Sequence, residues 1–437
     1  MYIDRVTTTP SMSGRTEAMH RFLTLRQPID ECNFSCPRIL AARKTYTLPF
    51  TFTIPPQLLP RACSHVVSND QVRESHLMLP PSLGDPELAG FGKTLLDDLA
   101  PEMSKVIYGI KVRLTSTKPN GSASLLAEKM KKIRVKPAFQ EQPPLNVDPS
   151  DIQYRMRKEK EIKKGLFRGK LGILTAQCAQ PKALVIPGVR MTCNTPITTM
   201  AKVLLRFDPA DETSLPPRLG SMATKIKVTT HYASAARQSI PTCPAPGSEI
   251  TQAVYEEYIP LSTLCIASVN WKRYAAAENP LSGGVLRRDS DISNYSISSS
   301  DDAFNAGTLM ASKGYRGGSF YIASVVVPVS LPMNKNFLPT FHSCMISRTY
   351  TLSLHLSAHA PGVSDPTLRL KIPIQIAADG SETGKENARV RNAEEGAAQD
   401  AADPFTLRSM VSPIVDELPP QYALSAPRVR AGTRLLV

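Results

Sequence analysis

Tyr46-Thr-Leu-Pro-Phe-Thr-Phe-Thr-Ile54 is the stretch whose reading decides the fold class. Its even positions, Tyr46, Leu48, Phe50, Phe52 and Ile54, are all apolar, and its odd positions are Thr47, Pro49, Thr51 and Thr53. Successive side chains point to opposite faces of a strand, so this pattern predicts one apolar face and one wet, threonine-rich face. Pro49 has no N–H to give to a ladder, which places the strand at an edge or a bulge. The same period of two recurs in Val106, Tyr108, Ile110, Val112 and Leu114, and more weakly in Ile226, Val228, Thr230 and Tyr232. It returns in Tyr350, Leu352, Leu354 and Leu356, and again in Leu368, Leu370, Ile372, Ile374 and Ile376. Short strands with one wet side, separated by Pro, Gly and Asn turns, predict antiparallel β-sandwiches and an all-β chain.

Helical periodicity is scarce. Ser150 to Gly165 is the best candidate, with Ser150 as N-cap and a glycine just past the last lysine. A shorter one is expected around Arg38–Lys44. The chain has 437 residues, enough for two or three domains, and its 38 prolines disfavour a helical bundle because an interior proline breaks a helix. The composition excludes collagen-like, coiled-coil and wholly disordered classes. No apolar run reaches the roughly 18 residues of a membrane span, and the N-terminal MYIDRVTTTPSMSGR lacks the apolar core of a secretory signal. A cytosolic chain is expected.

The eight cysteines, at 32, 36, 63, 178, 193, 243, 265 and 344, are then expected to be reduced, buried thiols. Cys32 and Cys36 have zinc-like spacing but no second pair beside them, so no metal site is expected. His65 and His76 flank a loop, where their rings could bond backbone; His355 points to the polar side of its strand with Ser353 and Ser357. There is no GxSxG, P-loop, HExxH or GxGxxG after a strand, so neither catalytic residues nor a cofactor are expected.

The formal net charge is +14, which favours anionic partners. Two basic runs stand out, Lys129–Lys136 and Arg155–Lys164, the second interleaved with Glu159 and Glu161 as on a solvated helix face. Neither run carries interleaved aromatics for base stacking, so no nucleic-acid partner is expected; a basic nucleic-acid-binding protein is the remotest alternative.

Strands cluster in Phe22–Leu114 and Leu166–Ile376, with the charged stretch 127–165 read as a linker between domains 1–126 and 166–378. Residues 279–318 read as a flexible Ser/Asp/Gly/Asn-rich insertion. Residues 379–437 hold only two aromatics, Phe405 and Tyr422, and read as a disordered tail. Within it stands Leu418-Pro419-Pro420-Gln421-Tyr422, a PPxY element. Consecutive prolines hold polyproline II geometry in advance, which suits the aromatic groove of a WW domain. Pro419 and Pro420 would fill the groove, Tyr422 would enter a pocket, and Leu418 would add apolar contact. Two candidate phosphorylation sites follow from local pattern: Ser290 after Arg287-Arg288-Asp289, and Ser412 before Pro413.

Tyr46–His65, with the following HLMLPPSLGD (His76–Asp85) and APEMSKVIYGIKVRL (Ala100–Leu114), resembles the N-terminal domain of fungal arrestin-like proteins, the alpha-arrestins or arrestin-related trafficking adaptors. LPTFHSCMISRTYTLSLHLS (Leu338–Ser357) and LRLKIPIQI (Leu368–Ile376) are similar to the closing strands of an arrestin C-terminal domain. The resemblance implies two tandem immunoglobulin-like sandwiches and a non-enzymatic adaptor. In that family PPxY motifs recruit WW-domain HECT ubiquitin ligases to the cytoplasmic segments of plasma-membrane transporters or receptors, for ubiquitination and endocytosis. It also implies a cytoplasmic protein, peripheral at plasma membrane and endosomes, where anionic lipid would suit the basic balance. An arrestin-fold sorting scaffold that recruits no ligase is the alternative. Only about two strands of ordinary length fit before Tyr46, fewer than the family places there, so the N-terminal sandwich is expected to be short of strands.

Overall fold

The computed structural model describes residues 4–8, 16–27, 43–85, 96–118, 121–148, 150–164, 169–188, 196–241, 251–275, 310–359 and 366–380. In chain order its strands begin with β1 (Asp4–Thr8), β2 (Thr16–His20), β3 (Ser104–Val106), β4 (Tyr108–Thr117) and β5 (Ala123–Ile133). They continue with β6 (Arg157–Lys163), β7 (Lys170–Cys178), β8 (Leu184–Ile186), β9 (Thr198–Pro209), β10 (Arg218–Ala233) and β11 (Gln252–Cys265). The last are β12 (Lys272–Tyr274), β13 (Phe320–Ser330), β14 (Phe341–His342), β15 (Ile346–His359), β16 (Thr367–Ile374) and β17 (Ile376–Ala378). A 3-10 turn (Pro60–Cys63) and one helix, α1 (Asp70–Leu77), are the helical elements among the described residues. The fold is all-β, and no described helix is long and apolar enough to cross a membrane.

The period-two runs account for the main core. One sheet runs β11-β10-β15, with β14 and β16 also on β15; the other runs β12-β13-β9-β7-β6. Register aligns Ile226 with Leu352 and Leu352 with Ile372, and likewise Val228 with Tyr350 and Tyr350 with Ile374. Residues directly opposite in a ladder share a face, so these rows build an unbroken apolar surface across three strands. It packs on Leu174, Val203, Leu205, Phe207 and Val327 of the other sheet, all of them buried. Each such side chain contributes roughly 1.5–3 kcal/mol by leaving water. Most pairings are antiparallel; β8 and β17 pair in parallel.

The N-terminal part is sparser. β1 is flanked by β2 and β3, and β4 and β5 form a separate hairpin. Phe22, Leu23, Leu58, Leu77, Leu83, Val106 and Tyr108 make a second core, which continues into Tyr232, Phe341, Met345 and Ile346 at one end of the sandwich. All the described residues therefore belong to one compact unit, Met1–Glu382. Beyond Tyr108 the apolar face of β4 is uncovered, with Val112 and Leu114 exposed.

Three expectations change. Tyr46–Ile54 keeps its alternation of half-buried and exposed residues, Phe50 excepted, but joins no ladder among the described residues. Pro49 cannot donate to one, and Thr51 N donates instead to a side chain, Gln27 Oε1, at 2.7 Å. Within the expected helix Ser150–Gly165, Arg157–Lys163 is instead strand β6, at the edge of its sheet. Its charges pair at a spacing of two, Arg157 with Glu159 at 2.7 Å, and Ile162 turns into the core, which is strand geometry. Alternating charge on an edge strand also discourages pairing with other chains. Residues 127–165, read as a linker, accordingly supply the end of β5 and all of β6. The short helix expected around Arg38–Lys44 lies mostly outside the described residues, and so does most of the 279–318 insertion.

Gly84 has φ +70, and a Cβ there would stand 2.3 Å from the Ser104 carbonyl oxygen. Its N–H donates to Asp98 Oδ2 at 2.7 Å. Gly84→Ala should therefore destabilise the protein by about 1–3 kcal/mol, the range for an imposed left-handed residue. A urea midpoint unchanged from the parent would refute this.

Candidate metal centre

Pro60 opens the 3-10 turn, where a missing N–H costs nothing, and the turn delivers Cys63 into the second core. The carbonyl of Cys63 accepts from Arg73 Nη1 at 3.0 Å, which ties the turn to α1. Asn69 starts that helix by accepting from Val72 N at 2.9 Å, and Leu58 N donates to Leu77 O at 2.7 Å, so turn and helix lie side by side. Val72, His76 and Leu77 form the buried side of α1. The fourth residue, Cys344, comes from the turn joining β14 to β15. That turn is fixed by Ser343, whose N and Oγ both donate to Ile346 O, and by Arg237 N, which donates to Cys344 O at 2.8 Å.

Cys63, His65, His76 and Cys344 thus each bring one donor atom into a group within 4.8 Å of one another. Cys63 Sγ is 3.3 Å from His65 Nε2 and 3.7 Å from His76 Nδ1, and Cys344 Sγ is 3.7 Å from Ala62 O. The two imidazole rings are 5.4 Å apart, inclined at 40°. Both cysteines are buried thiols. His65 Nδ1 lies 3.0 Å from Val66 O, an acceptor only, so Nδ1 carries a proton there and Nε2 is the nitrogen that faces the cluster. Burial, followed by the charges of His65, Arg237, Arg73 and His20, pushes His76 down to about 4. Two cysteine sulfurs and two imidazole nitrogens are the donor set of a tetrahedral soft-metal site.

The spacing Cys63-Ser-His65, followed by His76, was visible in the sequence, yet Cys344 lies far along the chain and only the fold brings it there. The sequence reading that excluded a metal looked at Cys32 and Cys36, which lie outside the described residues. His355 is half-buried on its strand, and desolvation first, then Arg369 and Lys225, lowers its pKa.

A second feature is cationic. Arg21, Arg26, Lys111 and Arg113 line a depression of about 210 Å³ together with Phe52. Glu128 engages both Lys111 and Arg113, and those side-chain hydrogen bonds hold its carboxyl below the usual range. Leu418, Pro419, Pro420 and Tyr422, and the phosphorylation candidates Ser290 and Ser412, lie outside the described residues. No protein-family model matches the chain, and no curated protein matches it.

Proposed function

We propose that the chain is a non-enzymatic adaptor of the alpha-arrestin kind, which recruits a WW-domain HECT ubiquitin ligase through Pro419-Pro420-Gln421-Tyr422 to cytoplasmic segments of membrane-protein cargo. The observation that carries this reading is the placement of the motif. It lies past β17, the last strand among the described residues, in sequence too poor in apolar residues to build a core. A preformed proline pair there loses little entropy on docking. The all-β body and its resemblance to arrestins supply the cargo-binding scaffold. The cationic depression and the net charge of +14 suit acidic cargo segments or anionic inner-leaflet lipid, and with them a cytoplasmic protein peripheral at plasma membrane and endosomes.

The test is direct binding of the full chain to a purified WW-domain array from a HECT ligase. Tyr422→Ala should weaken it at least about tenfold, or 1.4 kcal/mol, and should abolish co-purification of the ligase from cells. Undiminished recovery would remove the motif from the mechanism.

A further inference from the structure

We propose that Cys63, His65, His76 and Cys344 bind one zinc ion, which fastens the N-terminal segment to the end of the sandwich. This does not depend on the adaptor reading. At ordinary zinc bond lengths, near 2.3 Å to sulfur and 2.0–2.1 Å to nitrogen, the edges of a tetrahedral site measure about 3.3–3.8 Å. Cys63 Sγ already stands 3.3 and 3.7 Å from a nitrogen of His65 and His76, and none of the four donors is further than 4.8 Å from another.

The chemistry agrees with the geometry. Two thiolates balance the charge of a divalent ion, so the loaded site is neutral, as its buried surroundings of Ala62, Leu77, Phe341 and Met345 require. Thiolate and imidazole donors favour zinc over magnesium or calcium, which take oxygen. His65 has the outer partner typical of a ligating imidazole, its Nδ1–H donating to the Val66 carbonyl. Binding releases the two thiol protons, and that of Cys344 gives up its contact with Ala62 O. Four protein ligands leave no open position for water or substrate, so the ion is structural rather than catalytic.

Its placement defines what it stabilises. Three ligands come from the 3-10 turn, the loop after it and α1, and the fourth from the β14–β15 turn of the sandwich. The ion therefore closes a loop of most of the chain, across a junction otherwise made by the apolar contacts of the second core and by hydrogen bonds such as Ser68 N to Gln238 O at 2.8 Å. Loss of metal should loosen residues 58–79 before the sandwich itself.

The test uses the full chain, purified under reducing conditions and assayed for zinc by mass spectrometry of the metal. One zinc per chain is expected, and also in a Cys32→Ser/Cys36→Ser variant. Cys63→Ser and Cys344→Ser should each lose it. His65→Ala, at a half-buried position, should keep the far-UV spectrum. It should weaken zinc affinity beyond the about 10–100-fold that loss of an outer partner costs. Cobalt(II) added to metal-free protein should give tetrahedral visible bands and thiolate charge transfer, absent in Cys344→Ser. The proposal is overturned by a chain that binds no zinc better than Cys344→Ser does. Loss of zinc in the Cys32→Ser/Cys36→Ser variant, or a Cys63–Cys344 disulfide in protein isolated from cells, would overturn it equally.

Discussion

Asp208→Ala should destabilise the folded chain by about 3–5 kcal/mol, the cost of leaving a buried charge without its partner. Arg206 and Asp208 are two apart on β9, so they share the face opposite Phe207, which fills the core. Their side chains are 1% and 2% exposed, and Arg206 Nε donates to Asp208 Oδ1 at 2.7 Å. The segment leading into β13 covers them: Ser312 N donates to Asp208 Oδ2 at 2.8 Å. The guanidinium lies 4.1 Å from the ring centre of Phe320 and 4.9 Å from that of Tyr315. Removing the carboxylate takes the buried counter-ion from the guanidinium and the acceptor from the Ser312 N–H. The exposed pair Lys164–Asp211, by contrast, is screened by water and is expected to contribute little. Urea unfolding of the single variant and of Arg206→Met/Asp208→Leu separates the terms. The apolar pair should recover most of the loss, because it removes both desolvated charges together. A single variant that costs less than about 1 kcal/mol would show that the pair behaves as a surface one.

This pair, like the cysteine–histidine cluster, marks where sequence stopped short. The rows Ile226–Leu352–Ile372 and Val228–Tyr350–Ile374 were legible, because period two needs only local information and the fold buries those residues together. Strand β6 was misread, because Arg, Lys and Glu in alternation satisfy a helix face as well as an edge strand; the partner β7 decides between them. Tyr46–Ile54 had the pattern of a strand without a ladder to join among the described residues. Arg-Phe-Asp within β9 gives no sign of burial on its polar side, since what covers it arrives from residues 312–320. Contacts between distant segments have no periodicity to read. The PPxY element is the reverse case, fully legible because its recognition depends on a few adjacent residues.

Acidification should expose a second buried charge problem, at His231 on β10. It is 2% exposed, paired across the sheet with Val254 and Ser347, and its Nε2 has no hydrogen-bond partner among the described residues. Burial above all, then the positive charges of Arg237, His342 and Lys227, push it down from 6.5 to about 3. Because the folded value is depressed, the unfolded chain takes the proton first. Stability is therefore complete above pH 6.5 and falls with acid by about 1 kcal/mol for each pH unit. The loss levels off only below the folded value, so at pH 4.5 this residue alone accounts for roughly 2–3 kcal/mol. His342, pushed down to about 4 chiefly by burial, acts in the same direction, whereas Asp98, raised by burial, opposes both. His231→Gln isolates the single contribution: its urea midpoint should fall less steeply than the parent's between pH 6.5 and 4.5, by the equivalent of about one proton. Parallel curves for the two proteins would mean that His231 takes up its proton in the folded state near the ordinary value, through water reaching β10.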